Sequence, residues 1–295
     1  MASVIRTTGL TKSYRGRRAL TALDLEVSPG VVFGYLGPNG AGKTTTIRLL
    51  AGLLRPTAGQ ATVFGLDTVR DREAVQQRIG YLPGEFVAYR DLTAEQYLRY
   101  LGNLRGGVDP SSADRLAKRL DLNLADRIGA MSHGTRQKVG IVQAFLHDPE
   151  VLILDEPTAG LDPLVQREFL ALVREARSAG RTVFLSSHVL SEVEAVADMV
   201  GILRQGHLVE IQSVARLKSQ ALRRLDLGFE NLPPAEVLRE VSGVREVHLN
   251  GSAVQVTVEG SPADLLAVAA PYRISSITTH EPDLEEIFLR YYGQA

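Results

Sequence analysis

The sequence predicts an α/β fold in which a largely parallel sheet is covered by helices, followed by a smaller α+β unit. Two apolar runs, 31–36 and 151–154, have the aliphatic and aromatic side chains of buried strands. A glycine-rich loop and a helical segment, 43–50, follow the first run, and this order of strand, turn and helix is typical of such a fold. Beyond residue 212, shorter strands and helices alternate, which predicts the second unit.

The glycine-rich loop matches the phosphate-binding pattern G-x-x-x-x-G-K-[ST] at every fixed position. Such a turn at a helix start presents unpaired backbone N–H groups and the positive end of the helix dipole, where phosphate oxygens fit. Lys43 is then placed to reach the β- and γ-phosphates, and the Thr44 hydroxyl to ligate Mg²⁺. The predicted phosphate-binding residues are Gly37, Pro38, Asn39, Gly40, Ala41, Gly42, Lys43, Thr44 and Thr45. The motif predicts a P-loop NTPase core that binds a nucleoside triphosphate. The alternative is a fortuitous glycine-rich turn, but the strand before the loop and the helix after it are the context that the phosphate-binding motif requires.

The other elements of the core follow from the spacing of apolar and turn-forming residues. Apolar and polar side chains alternate up to residue 27, which predicts antiparallel strands. Next we expect a turn at Pro56 and Gly59, a strand at 61–64, a helix at 71–78, a strand at 79–82 and mostly helical structure over 93–147. The helical part, about 86–147, is an insertion between two strands of the nucleotide-binding fold.

The composition limits the classes of function. The chain of 295 residues has a formal net charge of −1, so it has no overall basic field and we expect no binding to nucleic acid. No window approaches the roughly 18 consecutive apolar residues of a membrane span, and the first residues lack a secretory apolar core. The absence of cysteine excludes disulfides and Cys-ligated metals and agrees with a reducing compartment. We therefore expect a soluble intracellular protein.

Two carboxylates follow the second buried strand. Asp155 and Glu156 lie at the carboxyl end of a predicted parallel strand, where ligands of open α/β sheets bind. Because neighbouring strand residues point in opposite directions, the two side chains should have different roles. Asp155 fits an Mg²⁺ ligand that acts through water, and Glu156 fits the group that polarises the water attacking the γ-phosphate. The structural alternative is an acidic loop after a core strand.

Two further residues have ambiguous local signals. His188 follows another predicted strand, 181–186, from which it could reach the γ-phosphate, although a lone histidine at such a place is as often structural. Tyr14 precedes the phosphate loop and could stack on a nucleobase, although aromatic side chains are common in strands. From the residues alone, both alternatives stay open.

Taken together, these stretches resemble the ATP-binding cassette (ABC) ATPases over roughly residues 3–211. The resemblance implies that Tyr14 stacks on adenine, that 37–45 is the Walker A loop, and that 151–156 is Walker B with its catalytic glutamate. It also implies that Asp162 lies in a loop that contacts an opposing subunit, and that His188 is the switch histidine. The implied catalytic side chains are Glu156, His188 and Lys43, and the implied cofactors are ATP and Mg²⁺.

The signature motif departs from the family pattern. ABC ATPases usually have Leu-Ser-Gly-Gly-Gln, whereas this chain has Met-Ser-His-Gly-Thr at 131–135. Ser132 and Gly134 are kept, and the resemblance implies that their hydroxyl and backbone amide contact the γ-phosphate from across a dimer, at a helix start suited to anions. His133 and Thr135 replace the usual Gly and Gln at this contact.

The loop after 79–82 is the second departure. The family has a glutamine after Tyr-Leu-Pro, and here Gly84 occupies this position and Glu85 follows. A glycine has no side chain with which to ligate Mg²⁺ or orient water. Either Glu85 takes this role, as a suitable hard ligand, or the metal depends on Thr44, Asp155, phosphates and water while Glu85 faces solvent or a partner.

The resemblance also implies a partner cassette. ABC ATPases form head-to-tail dimers that hold each ATP between the Walker A loop of one subunit and the signature of the other. The second subunit then supplies the γ-phosphate contacts for which an arginine finger serves elsewhere. One cassette per chain implies a homodimer or a paired homologous cassette.

Residues 213–295 predict a small accessory α+β domain. Strands at 222–229, 244–249, 253–258 and 274–279 and helices at 234–241 and 263–269 follow in the order β-α-β-β-α-β, which is ferredoxin-like. Asn250-Gly251 is a two-residue hairpin turn, and a last helix is expected at 283–291. The tail resembles the C-terminal extension of drug- and lipid-exporter ABC ATPases, including antibiotic self-resistance ATPases of bacteria. The alternative is a generic stabilising or dimerising appendage.

This branch implies an ATP-hydrolysing subunit that powers efflux of a drug, antibiotic or lipid-like substrate through a separate integral membrane permease. Its expected location is cytoplasmic, peripheral on the inner face of the cell membrane. One alternative is a soluble cassette ATPase acting on ribosomes or nucleic acid, which usually has two cassettes, a long coiled coil or a basic arm. The other is a nucleotide-gated binding module that hardly hydrolyses, against which the retention of Lys43, Asp155, Glu156 and His188 argues.

Overall fold

The structure, a computed structural model, describes residues 3–220, 222–251 and 253–280. The chain divides into two compact units, Met1–Ile211 and Gln212–Ala295. That these units are a nucleotide-binding domain and an accessory domain stays a prediction. Within the described residues, no helix is both long enough and apolar enough to span a membrane.

The first unit combines two sheets with helices. The elements up to residue 213 are β1 (Ile5–Tyr14), β2 (Arg17–Val27), β3 (Val32–Leu36), α1 (Lys43–Leu50), β4 (Ala58–Val63), β5 (Leu66–Asp67), α2 (Arg72–Arg78), β6 (Ile79–Leu82), α3 (Ala94–Leu104), α4 (Pro110–Arg119), α5 (His133–Phe145), β7 (Val151–Asp155), α6 (Pro163–Ser178), β8 (Thr182–Ser187), α7 (Leu190–Val196), β9 (Met199–Arg204) and β10 (His207–Ser213). A short 3₁₀ helix, Ile128–Ala130, precedes α5.

The smaller sheet has the strand order β2-β1-β4-β5 with antiparallel neighbours, as the alternating sequence before residue 27 predicts. Gly59, expected in a turn, lies in β4 instead, with a φ of +73°. The register between β1 and β4 shifts at this point. A Cβ on Gly59 would lie 2.2 Å from the carbonyl oxygen of Gly9, so this bulge requires a glycine.

The larger sheet has the order β10-β9-β3-β8-β7-β6, and its pairs from β9 to β6 are parallel. Every residue of β3 and of β7 is buried, as expected for strands covered on both faces. In the core, the ring of Phe33 stacks on that of Phe184 with centroids 5.4 Å apart. Because the carboxyl ends of parallel neighbours meet at one edge, the loops after β3, β6, β7 and β8 converge there.

The predicted helical insertion contains α3, α4 and α5. A capping box starts α3, because Thr93 accepts a hydrogen bond from the backbone N–H of Gln96 while the Gln96 side chain accepts one from that of Thr93. Arg119, the last residue of α4, donates to the carboxylates of Glu168 and Glu175 in α6. These ion pairs connect the insertion to a helix that packs on the sheet.

Gly80, in β6, allows a test of the packing between the sheet and α5. A Cβ at this position would lie 2.1 Å from the backbone oxygen of Ala144 and 2.8 Å from the Leu152 side chain. Because a backbone oxygen cannot move aside without a shift of α5, we expect Gly80→Ala to lower the free energy of unfolding by about 1–3 kcal/mol. Urea denaturation followed by circular dichroism measures this loss.

Gly102→Ala is the matched control for that substitution. Gly102 lies within α3, and its added Cβ would have no contact closer than 3.6 Å. Because alanine restricts the unfolded chain and favours helix, this change should raise the stability by about 0.5–1 kcal/mol. Equal effects of the two substitutions would contradict the packing argument.

The second unit contains α8 (Val214–Gln220), β11 (Leu222–Phe229), α9 (Ala235–Arg239), β12 (Val244–Asn250), β13 (Ala253–Glu259), α10 (Ala263–Ala269) and β14 (Ile274–His280). The strand order β12-β13-β11-β14 with antiparallel neighbours is the ferredoxin-like arrangement that the element order predicts. Its hydrophobic core includes Leu225, Val256 and Leu265. The helix expected at 283–291 lies outside the described residues.

Candidate functional site

The predicted phosphate loop connects the carboxyl end of β3 to the start of α1. Gly40 has a φ of +80° and Gly42 a φ of +113°, a region that residues with side chains rarely adopt. A Cβ on Gly42 would also lie 2.6 Å from the carbonyl oxygen of Ala19. The glycines therefore let the loop close tightly at the start of α1, where the backbone N–H groups of the first turn have no partner within the helix.

Lys43 connects this loop to a carboxylate on the neighbouring part of the sheet edge. Its Nζ donates to the carbonyl oxygen of Gly37 at 2.5 Å and lies 3.2 Å from Oε1 of Glu156. The lysine side chain is only 6% exposed. Because a buried charge needs partners, these contacts hold the ammonium group at the phosphate loop.

A pocket of about 210 Å³ opens at the loop. It is lined by Ala19, Pro38, Asn39, Gly40, Gly42, Lys43, Thr44, Thr45 and Glu156. Gly37 and Ala41 belong to the loop but are not among the lining residues. Ala41 is buried, and a Cβ on Gly37 would meet the carbonyl oxygen of Leu203 at 2.6 Å, so these two residues fit the loop against the protein.

Glu156 directly follows β7 in a left-handed conformation, with a φ of +47°. This conformation costs a residue with a side chain about 1–2 kcal/mol, and such strain concentrates at functional sites. One carboxylate oxygen, Oε1, faces Lys43, and the other, Oε2, lies 2.7 Å from Nδ1 of His188. The backbone N–H of His188 also donates to Oε2, at 3.3 Å. The structure thus brings the three predicted catalytic side chains together at the pocket.

Asp155, the last residue of β7, is fully buried. Its Oδ1 accepts a hydrogen bond from the Ser186 hydroxyl at 2.7 Å, and the same hydroxyl accepts the backbone N–H of Glu156 at 3.0 Å. Oδ2 of Asp155 has no hydrogen-bond partner among the described residues. A buried carboxylate oxygen is costly unless a cation or a water binds it. Thr44 lines the pocket at the phosphate loop, and its hydroxyl together with the unsatisfied carboxylate oxygen of Asp155 is a set of hard oxygen donors that suits Mg²⁺.

The loop after β6 lies beside Asp155. A Cβ on Gly84 would be 3.1 Å from Oδ2 of Asp155, so the position of the missing glutamine is next to the unsatisfied oxygen. Glu85 is exposed, whereas Phe86 is buried. The role of Glu85 as a metal ligand stays a prediction.

Tyr14 ends β1 and is 43% exposed, with the Lys12 ammonium 5.2 Å from the centroid of its ring. Tyr14 is not among the pocket-lining residues, although Ala19 on the neighbouring strand β2 is. An exposed ring of this kind is able to stack on a base, and its role in adenine binding stays a prediction.

The predicted signature residues lie at the start of α5. Ser132 caps the helix by accepting the backbone N–H of Thr135 at 3.1 Å. A Cβ on Gly134 would lie 2.2 Å from the carbonyl oxygen of Gly160, and a Cβ on Gly160 would lie 2.7 Å from the ring of His133. The signature and the AGLD loop (159–162) therefore pack together within one chain, and this close approach requires Gly134.

Asp162, the predicted dimer-contact residue, caps α6. Its carboxylate accepts the backbone N–H groups of Val165 at 3.0 Å and Leu164 at 3.1 Å. The hydrogen bond from Val165 contributes most to a lowered pKa of Asp162, which keeps this exposed carboxylate charged. Its contact with a second subunit stays a prediction.

Known proteins are similar to this chain in sequence. The ABC transporter family model matches residues 20–159. The chain is 36% identical to the bacitracin transport ATP-binding protein BcrA of Bacillus licheniformis, over 99% of this chain and 98% of that protein. The chain belongs to the ABC transporter ATP-binding proteins. This ABC ATPase is also 33% identical to the daunorubicin/doxorubicin resistance ATP-binding protein DrrA of Streptomyces peucetius, over 98% of this chain and 92% of that protein.

Solved structures agree on the fold. The ATP-binding subunit of an ABC transporter is 30% identical with a TM-score of 0.68, over 74% of this ABC ATPase and 93% of that chain. A dimeric ATP-binding cassette with ADP and Pi is 22% identical with a TM-score of 0.64, over 71% of this chain and 98% of that one, and shows the fold alone. The predicted ABC ATPase of the drug- and antibiotic-exporter branch is therefore confirmed, and the protein binds and hydrolyses ATP.

Two side chains that form hydrogen bonds with the turn at Glu156 are not predicted from the sequence. Ser186 pairs in register with Asp155 across β7 and β8, so the strand alignment could have pointed to it. Gln137, in α5, donates to the backbone carbonyl oxygens of Glu156 and Pro157. No local signal identifies Gln137, because only the tertiary structure brings α5 to the end of β7.

Ser186→Ala should destabilise the ABC ATPase by about 1–3 kcal/mol, because it leaves Oδ1 of Asp155 and the N–H of Glu156 without the hydroxyl that joins them. Ser178→Ala is the control, since the exposed Ser178 hydroxyl donates only to a carbonyl of its own helix, and its effect should stay within about 0.5 kcal/mol. Urea denaturation gives both values. A loss in Ser186→Ala no larger than in the control would contradict the proposed importance of this contact.

Proposed function

We propose that this ABC ATPase powers an exporter, and that Glu156 polarises the water that attacks the γ-phosphate. The observation that carries the proposal is the position of the Glu156 carboxylate, which lies between Nζ of Lys43 and Nδ1 of His188 at the pocket over the phosphate loop. This carboxylate is 20% exposed, so it is within reach of water and able to accept a proton from it.

In the proposed reaction, the phosphates lie against the backbone N–H groups at the start of α1, and Lys43 donates to the β- and γ-phosphate oxygens. Mg²⁺, when bound, neutralises negative charge on these oxygens. Thr44 and Asp155 are the residues that would hold the ion. Glu156 accepts the proton of the attacking water, while His188 orients the Glu156 carboxylate from the side of the γ-phosphate.

The site is completed by a second cassette, in a homodimer or with a paired homologue. The start of α5 supports this proposal, because Ser132 and His133 are exposed there and can contact a nucleotide bound to another copy. The rate of ATP hydrolysis should then rise faster than linearly with protein concentration. Strict proportionality through the range in which dimers dissociate would contradict the shared site.

The proposed work is efflux of a drug, antibiotic or lipid-like substrate through a separate integral membrane permease, with the ATPase bound to the cytoplasmic face of the membrane. Similarity over nearly the whole chain to a bacitracin transport protein and to a daunorubicin/doxorubicin resistance protein supports this proposal. Closure of the ATP-bound dimer moves the permease helices, and hydrolysis reopens the dimer.

Isolation of the protein from native membranes in mild detergent tests the exporter proposal. We expect a multi-span integral membrane protein to be recovered with it at about equal stoichiometry. Recovery with ribosomes or nucleic acid, and with no membrane protein, would overturn the transport assignment and leave the ATPase chemistry intact. Phosphate release by the isolated complex tests the remaining alternative, a binding module that hardly hydrolyses, because such a module would bind ATP with almost no turnover.

A further inference from the structure

Gln137 is a buried polar side chain that the reaction proposed above does not use. It lies in the second turn of α5 and is 1% exposed. Its Nε2 donates to the backbone carbonyl oxygen of Pro157 at 3.1 Å and to that of Glu156 at 3.4 Å. Because carbonyl oxygens only accept, the amide must present its NH₂ group to them, and this fixes the orientation of the side chain.

The other end of the same amide is unsatisfied. Oε1 of Gln137 is buried and has no hydrogen-bond partner in the described part of the chain. An apolar side chain of similar length would avoid this buried lone acceptor but would leave the carbonyl oxygens of Glu156 and Pro157 without the donor that Gln137 supplies. What glutamine adds is the pair of hydrogen bonds to the turn after β7.

These hydrogen bonds hold a strained turn. Glu156 has a φ of +47°, and a residue with a side chain stays in that region only where its surroundings hold it there. Its N–H is fixed by the Ser186 hydroxyl. Its carbonyl oxygen accepts from Gln137 and from the backbone N–H of Ala159 at 3.2 Å. Removal of the Gln137 amide therefore loosens the carbonyl side of the turn, where Pro157 also loses its donor.

We propose that Gln137 is a positioning residue for ATP hydrolysis. By holding the carbonyl oxygens of Glu156 and Pro157, it keeps Glu156 in the left-handed conformation that directs its carboxylate between Lys43 and His188. The inference rests on the proposed role of Glu156 as the water-polarising residue. Gln137 belongs to α5, the helix that begins at the signature. Its hydrogen bonds therefore also connect this helix to the turn at Glu156 and Pro157 of the same subunit.

Gln137→Met in the full chain tests the proposal, because methionine keeps the length of the side chain and removes both donated hydrogen bonds. We expect kcat for ATP hydrolysis to fall about tenfold or more, while KM and the Kd for ATP stay within about twofold, since the phosphate loop is untouched. A side chain that only stabilised the fold would lower the melting temperature without separating kcat from KM.

Gln143→Met is the matched control on the same helix. Gln143 accepts a hydrogen bond from the Tyr97 hydroxyl at 2.7 Å, and among the described residues no hydrogen bond joins its side chain to the turn after β7, so its replacement should leave kcat unchanged. If Gln137→Met melts more than about 5 °C below the wild type, its kcat is compared with that of the wild type at a lower temperature at which both proteins are folded. An unchanged kcat in the folded variant overturns the proposal.

Glu156→Gln, measured in parallel, distinguishes a failure of the proposed role of Glu156 from a failure of the proposed role of Gln137. If Glu156→Gln hydrolyses ATP at the wild-type rate, the proposed role of Glu156 fails and the role of Gln137 fails with it. If Glu156→Gln is inactive while folded Gln137→Met keeps the wild-type kcat, the role of Gln137 alone is overturned. Loss of kcat in both variants, with ATP affinity retained, is the expected result.

Discussion

Glu156→Gln is expected to reduce ATP turnover about 10²–10⁴-fold while ATP affinity stays within a few-fold of the wild type. Glutamine has nearly the same size and can occupy the position 3.2 Å from Nζ of Lys43 and 2.7 Å from Nδ1 of His188, but it cannot accept a proton from water. The contacts of Lys43 with the phosphate loop remain, so binding is retained. Phosphate release at saturating ATP and equilibrium binding of a fluorescent ATP analogue measure the two quantities.

Glu150→Gln is the matched control for this variant. Glu150 precedes β7, at the opposite end of the same strand from Glu156, and pairs with Arg78 at the surface at 2.7 Å. The same chemical change at this end should leave turnover unchanged. Turnover above about a tenth of the wild-type rate in Glu156→Gln would remove Glu156 as the essential water-polarising residue.

The parts of the molecule that depend on contiguous sequence are predictable. The phosphate loop is set by Gly40, Gly42 and Lys43 within one short segment, and the strand before it and the helix after it determine where its N–H groups lie. The order of strands and helices beyond residue 221 predicts the ferredoxin-like sheet for a similar reason, since each hairpin or crossover is local in the chain. The ATPase activity then follows from membership of the ABC transporter family.

The details around the Glu156 carboxylate are not predictable in this way. Strand alternation predicts that Asp155 and Glu156 point apart, but in the structure β7 ends at Asp155 and a left-handed turn directs Glu156 to the pocket. That turn is held by Ser186 from the neighbouring strand and by Gln137 from a helix. Hydrogen bonds between segments that are distant in sequence leave no periodicity for a sequence analysis to detect.

Lys43→Ala is expected to raise the Kd for ATP about 10–100-fold and to lower turnover as well, because a charged hydrogen-bond donor to the phosphates is lost. In the structure, its Nζ donates to Gly37 and Pro38 and pairs with Glu156. After truncation, the Glu156 carboxylate faces the pocket without its ammonium partner and repels the γ-phosphate. Equilibrium binding of ATP and phosphate release at saturating ATP measure the two losses.

A double variant separates two causes of the weaker ATP binding in Lys43→Ala: the loss of the lysine charge and the repulsion of the phosphates by the unpaired Glu156 carboxylate. If repulsion by Glu156 contributes, Lys43→Ala with Glu156→Gln should bind ATP more tightly than Lys43→Ala alone, a non-additive effect expected of residues in direct contact. Equal affinities would assign the whole loss to the missing cation. Lys118→Ala, at an exposed position in α4, should bind ATP as the wild type does. A Kd for Lys43→Ala within about twofold of the wild type would contradict the phosphate-binding role of Lys43, because a lost ionic hydrogen bond must weaken binding by more than this.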